Sequence, residues 1–97
     1  MAAYIVLSQF TDQGIRNVKD TTKRAAAATD VAAKMGVKFT ELFWTLGQYD
    51  LVIVAEAPDD QTISALMLKL AALGNVKSQT LRAFRSAEME AILKKAA

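Results

Sequence analysis

Ninety-seven residues and 10.5 kDa correspond to one domain, because chains near 100 residues sit at the commonest domain size. The chain has no cysteine and no histidine, which excludes disulfides, thiolate nucleophiles, imidazole bases, Cys- or His-built zinc sites and haem held by either residue. Apolar residues at 53 % and charged residues at 23 % are a globular balance, and a net charge of +2 is too weak a field to indicate nucleic acid or a membrane surface.

No apolar run approaches the roughly 20 residues of a membrane span. Met1-Ala2-Ala3 brings no basic leader, so a signal peptide is not expected and the reading is a cytoplasmic protein. Tyr4 to Phe10 is a β-branched and aromatic run and predicts the first strand. Thr11 can cap the following helix, with Asp12 at the positive end of its dipole. Ile15, Val18, Thr22, Ala25, Thr29 and Ala32 recur at spacings of three and four, which predicts one long amphipathic helix stopped by Gly36. Its stripe is small, so the helix should approach the sheet closely.

Val37 to Leu46 and Tyr49 to Ala57 read as two further strands joined at Gly47-Gln48, a pair that suits a type II′ hairpin turn. Pro58 closes the third strand. Asp59 or Asp60 caps a second helix with Ile63, Leu66, Met67, Leu70 and Leu73 on its apolar face, ended by Gly74. Asn75 to Phe84 is the fourth strand, and Ser86 opens a short terminal helix expected to pack through Met89, Ile92 and Leu93. The stretch from Tyr4 to Ile15 aligns without gaps on Val52 to Ile63, an echo that a repeat or shared capping chemistry explains equally well.

Two βαβ halves imply an α+β, ferredoxin-like βαββαβ domain over residues 1–97 with a four-stranded antiparallel sheet. The first and third strands carry near-continuous apolar runs, Tyr4 to Leu7 and Leu51 to Ala55, and belong at the centre, whereas Lys38, Glu41, Lys77, Ser78, Gln79 and Arg82 belong at edges. Order 4-1-3-2 satisfies both. Two helices cover only one face of such a sheet, and the terminal helix is too short to hide the other. A second copy of the chain is the expected cover, giving a homodimer or a higher assembly.

Trp44-Thr45-Leu46-Gly47-Gln48-Tyr49-Asp50 resembles the signature of the GYD-domain family, named for its glycine, tyrosine and aspartate. Ser8 to Gly14 and Gly74 to Phe84 resemble its other recurring blocks, in the right order along nearly the whole chain. Gln48 separates Gly47 from Tyr49, so the motif is spaced here. The resemblance implies a small bacterial or archaeal protein of the dimeric α/β barrel group, with no established reaction. Relatives in that group include monooxygenases, isomerases and binding proteins, so the fold does not choose among them.

Each candidate site residue has two readings. Asp50 is either a general base beside Tyr49 or an acceptor for backbone N–H groups at the turn, and the second is preferred. Ser78, Thr80 and Arg82 share one face of the fourth strand and could line a polar cavity, or Arg82 could pair with Asp50 or Glu56 across an interface. Phe39, Phe43 and Trp44 span both faces as core and interface, with an aromatic ligand between Trp44 and Tyr49 as the sharper reading. Arg16, Lys19, Lys23 and Arg24 read as a solvated helix face, and no metal site or cofactor is expected. The leading function is ligand binding or assembly without a reaction. The alternative is a cofactor-independent monooxygenase or isomerase on a small aromatic or dicarbonyl substrate, with Asp50 as base and Arg82 stabilising an enolate. Absence of histidine weighs against it.

Overall fold

The computed structural model describes all 97 residues. The two apolar runs form β1 (Ala2–Phe10) and β3 (Leu51–Ala57), which pair antiparallel at the sheet centre with Val6 opposite Ile53. β2 (Lys38–Trp44) flanks β3, and β4 (Val76–Ala83) flanks β1, both antiparallel. The order is β2-β3-β1-β4, which from the opposite edge reads 4-1-3-2. Polar residues sit on the edges because β2 and β4 are paired on one side only, whereas β1 and β3 are flanked on both.

Four α-helices accompany the sheet, one more than the sequence suggests, because the first helix is broken. α1 (Asp12–Arg16) ends at Asn17, a 3-10 turn covers Val18–Asp20, and α2 (Thr21–Lys34) starts afresh. At the break Asn17 leaves the helical conformation, with φ −106° and ψ 27°, and its side-chain amide joins its backbone N–H on the Gln13 carbonyl, at 3.0 and 3.2 Å. The restart shifts the helical phase. Ile15 and Val18 are left exposed, while Ala25, Ala28, Val31 and Ala32 turn toward the sheet. α3 (Asp60–Ala71) buries Ile63 and Leu66 as expected but leaves Leu73 exposed beyond its end.

Side chains alternate along a strand, so Tyr4, Val6, Ile53 and Ala55 meet Ala32, Ile63 and Leu66 in one core between sheet and helices. Burying Ile63 or Leu66 contributes about 1.5–3 kcal/mol each. A bulge at Thr40, whose hydroxyl donates to the Val54 carbonyl at 3.1 Å, keeps both Phe39 and Leu42 on the core side of β2. The β2–β3 connection spans Thr45 to Asp50 instead of the expected two-residue turn. Thr45 closes it, its N–H donating to Asp50 O at 2.9 Å and its hydroxyl to Tyr49 O at 2.6 Å. Leu46 is left fully in solvent.

The other sheet face carries Ile5, Leu7, Phe43, Val52, Val54 and Leu81, paired across the strands. Nothing in the chain covers it fully: Phe43 is 51 % and Leu81 39 % exposed. The terminal helix α4 (Ser86–Ala96) buries none of its residues, and Met89 and Leu93 are exposed, contrary to the packing expected of them. It is tied down only near its start, by Arg85–Glu56 at 2.6 Å and Arg82–Glu88 at 3.4 Å. The chain measures 50 × 30 × 19 Å with a radius of gyration of 14.6 Å, against about 12.5 Å for a compact chain of this length. No helix is long and apolar enough to cross a membrane.

Candidate functional site

At the far end of β1, Asp50 continues the β1–β3 pairing by one position. Its N–H donates to Ser8 O at 2.9 Å, and its carboxylate accepts from the Phe10 N–H at 2.8 Å. Gln9 reaches the same turn, donating its amide N–H to Gln48 O at 2.8 Å. Tyr49 lies beside Leu7, Gln9, Lys77 and Gln79 around a shallow polar hollow of about 320 Å³ on the open sheet face. Gln9 and Gln79 therefore both face the open side of the sheet.

Arg82 belongs to the opposite end of β1, where it pairs with Tyr4. Its guanidinium stacks on Phe84 at 4.6 Å and Tyr4 at 5.6 Å, and donates to the Ala3 and Ala83 carbonyls. Its carboxylate partner is Glu88, and Glu56 goes to Arg85 instead. Ser8 and Phe10, which Asp50 grips, stand four and six residues from Tyr4, roughly 13–20 Å along the strand. Asp50 and Arg82 do not share a site.

Tyr4, though central in the core, keeps its hydroxyl satisfied by donating to the Asp60 carboxylate at 2.5 Å. Burial first, and then the Asp60 carboxylate, raise the phenol pKa above its ordinary value near 10. The unfolded chain releases this proton near pH 10 while the folded chain still holds it. Stability from this group is thus complete below pH 10 and is lost as pH rises through the folded value. Tyr4→Phe is expected to cost about 0.5–1.5 kcal/mol at pH 7. In urea melts taken from pH 8 to 11 the variant should lose less stability than the parent, and equal losses would contradict this role. Asp59, next door, caps α3: it accepts from the Thr62 N–H and hydroxyl at 2.8 and 2.7 Å, which lowers its pKa.

A second, apolar cavity of about 330 Å³ lies between the sheet, α2 and α3. Ser78 reaches its lining and shares a 2.7 Å hydrogen bond with the buried Ser8. Thr80 faces the same side but lines neither space, and neither do Asp50, Arg82 or Trp44. Trp44 and Tyr49 flank no common cavity, since the Trp44 indole N–H donates to Thr21 Oγ1 at 3.0 Å on the helix side. The sequence reading missed Arg24, which it placed on a solvated face. Arg24 is half-buried at the rim of the apolar cavity, donating to Asn17 O at 2.6 Å and Gly14 O at 3.3 Å. The restarted phase of α2 brings it there.

A family model described as the GYD domain matches residues 4–93. This chain belongs to the GYD domain family. A Thermus thermophilus protein named "Glutamine synthetase and cystathionine beta-lyase binding protein" is 38 % identical over 95 residues, covering 97 % of this chain and all of the relative. The crystal structure of TTHA0845, also from Thermus thermophilus, superposes with a TM-score of 0.58 at 23 % identity, covering 89 % of this chain and 96 % of the other. That second likeness supports the α+β fold.

In this GYD domain the family's three residues are turn residues. Gly47 supplies a backbone φ of 104°, which side-chain-bearing residues rarely adopt, and Asp50 fastens the turn to β1. The preferred acceptor role of Asp50 thus has a donor, though it is Phe10 of the neighbouring strand β1 and not the Gly47-Gln48 loop. Asp50→Ala would leave the half-buried Phe10 N–H unpaired, with an expected loss of about 1–2 kcal/mol. Asp50→Asn keeps an acceptor oxygen and should recover most of that in thermal melts. An alanine variant as stable as the parent would remove the role.

Proposed function

We propose that this GYD domain is an assembly and docking domain, a homo-oligomer joined through its open sheet face that binds enzyme partners. The observation that carries the reading is that face itself. Ile5, Leu7, Phe43, Val52, Val54 and Leu81 form a continuous apolar surface that two helices and a detached α4 leave uncovered. Patches of this kind mark interfaces, and a sheet packed on a second sheet would bury it. Met89 and Leu93 of α4, exposed in the single chain, would add to the contact.

The relative named for binding glutamine synthetase and cystathionine β-lyase supports a partner-binding role, being alike over nearly its whole length. Those two enzymes are the first partners to test, and a cytoplasmic location goes with them. The enzyme alternative required Asp50 and Arg82 around one substrate. Their separation and the engagement of Asp50 by Phe10 give it no support.

Sedimentation equilibrium at micromolar concentration tests the assembly. The parent is expected at twice 10.5 kDa or more, and Phe43→Lys/Leu81→Lys as a folded monomer. A monomeric parent would overturn the assembly. Immobilised parent protein should retain glutamine synthetase or cystathionine β-lyase from its own organism, and retention of neither would overturn the docking role.

A further inference from the structure

The cavity between sheet and helices lies on the side of the sheet opposite the proposed interface, and it has the makings of a binding site of its own. Its volume is about 330 Å³, and thirteen of its eighteen lining residues are apolar. Folded interiors rarely keep a void larger than a water, whose share of the liquid is about 30 Å³. Here the void follows from sequence: α2 turns Ala25 and Ala28 toward β1 and β3, where larger side chains would fill the space. The walls are Val6, Leu42, Ile53, Met67 and Leu70. Ser8 and Ser78 satisfy each other on the sheet side and add little polarity.

Polar groups that can meet a ligand gather at the start of α2. Arg24 makes two hydrogen bonds, both to backbone carbonyls, and belongs to none of the chain's ion pairs. A guanidinium has five N–H donors, so three remain, beside a cavity and without a carboxylate. Thr21 lines the same cavity, and because its oxygen already accepts from Trp44, its hydroxyl proton is free to donate. An apolar chamber with an unpaired guanidinium and a free hydroxyl at one end describes a small amphipathic acid.

We propose that this cavity binds a monocarboxylate with an apolar body, of the class of medium-chain fatty acids and aryl-alkanoic acids. The carboxylate sits at Arg24 and Thr21, and the apolar body runs between α2, α3 and the sheet. Size agrees: a dry 150 Å³ cavity holds one benzene ring, and this one has roughly twice that volume. A fork of guanidinium donors matches a carboxylate and distinguishes it from an alcohol of equal length.

Decanoate and decanol are the probes, titrated below the micelle concentration of decanoate into the ¹⁵N-labelled full chain. Decanoate is expected to shift the amides of Val6, Ile53 and Leu70 and to saturate. Arg24→Gln should weaken decanoate at least tenfold and leave decanol within twofold. Ala28→Phe, which fills the chamber, should abolish binding of both. Shifts confined to Ile5, Leu7 and Val52 would place the probe on the open face and overturn the proposal, as would no saturable binding. Equal effects of Arg24→Gln on acid and alcohol would overturn the carboxylate assignment. Should Ala28→Phe not fold, the Arg24→Gln comparison decides alone.

Discussion

Gly14→Ala is expected to lower the melting temperature by roughly 12–24 °C, a large effect for a single methyl group. A β-carbon at position 14 would lie 2.0 Å from the backbone carbonyl oxygen of Asn75 and 2.9 Å from its carbon. These are main-chain atoms at the entry to β4, so no flexible side chain can move aside. The same oxygen accepts the Thr11 N–H at 3.1 Å, while the Thr11 hydroxyl donates to Gly74 O at 2.5 Å. Relief therefore means moving α1 off β4 and losing the bonds that dock it. Overpacking of this kind costs about 3 kcal/mol, and each kcal/mol shifts a domain of this size by about 4–8 °C. A variant melting within a few degrees of the parent would show that α1 can slide freely.

The fold was legible where one physical requirement acts alone. The apolar runs Tyr4–Leu7 and Leu51–Ala55 take the two central positions, paired on both edges. Ile63 and Leu66 announce the buried face of α3, and Asp59-Asp60 announces a cap, which the structure gives to Asp59. Legibility failed where two requirements compete over short distances. The periodic pattern through Val18 favours continued helix, while the close approach of Gly14 to Asn75 fixes α1 against the start of β4 and Asn17 leaves the helical conformation. The local signal lost, and with it the phase that turns Arg24 inward. Gly47-Gln48 likewise looks like a tight turn, but the Thr45 hydroxyl captures Tyr49 O and widens it.

Site chemistry was less legible for a related reason. Asp50 was readable as an acceptor from its place after a turn, yet its donor is 40 residues away on another strand. Arg82 and Arg85 are both cations near the end of β4, and no spacing rule says that Arg85 takes Glu56 while Arg82 stacks on Phe84. Ser8 and Ser78 find each other only once β1 and β4 are in register. Such pairings are properties of the sheet register, which is set by the whole fold.

Two leucines on α3 measure how far burial, and not residue type, decides stability. Leu66 is wholly buried against the central strands, and Leu68, two residues on, is 72 % exposed. Leu66→Ala removes apolar atoms from the core it shares with Ile63, Val6 and Ala55 and leaves a cavity there. The expected loss is about 2–5 kcal/mol, the upper half of that range if the backbone holds its place. Leu68→Ala removes the same atoms from water and exchanges one good helix former for a better one, so its effect should stay within about 0.5 kcal/mol. Denaturant melts of both variants give the comparison directly, with unchanged slope expected for each. Near-equal losses would mean that α3 docks through a different face, and the cavity between α2, α3 and the sheet would then need redrawing.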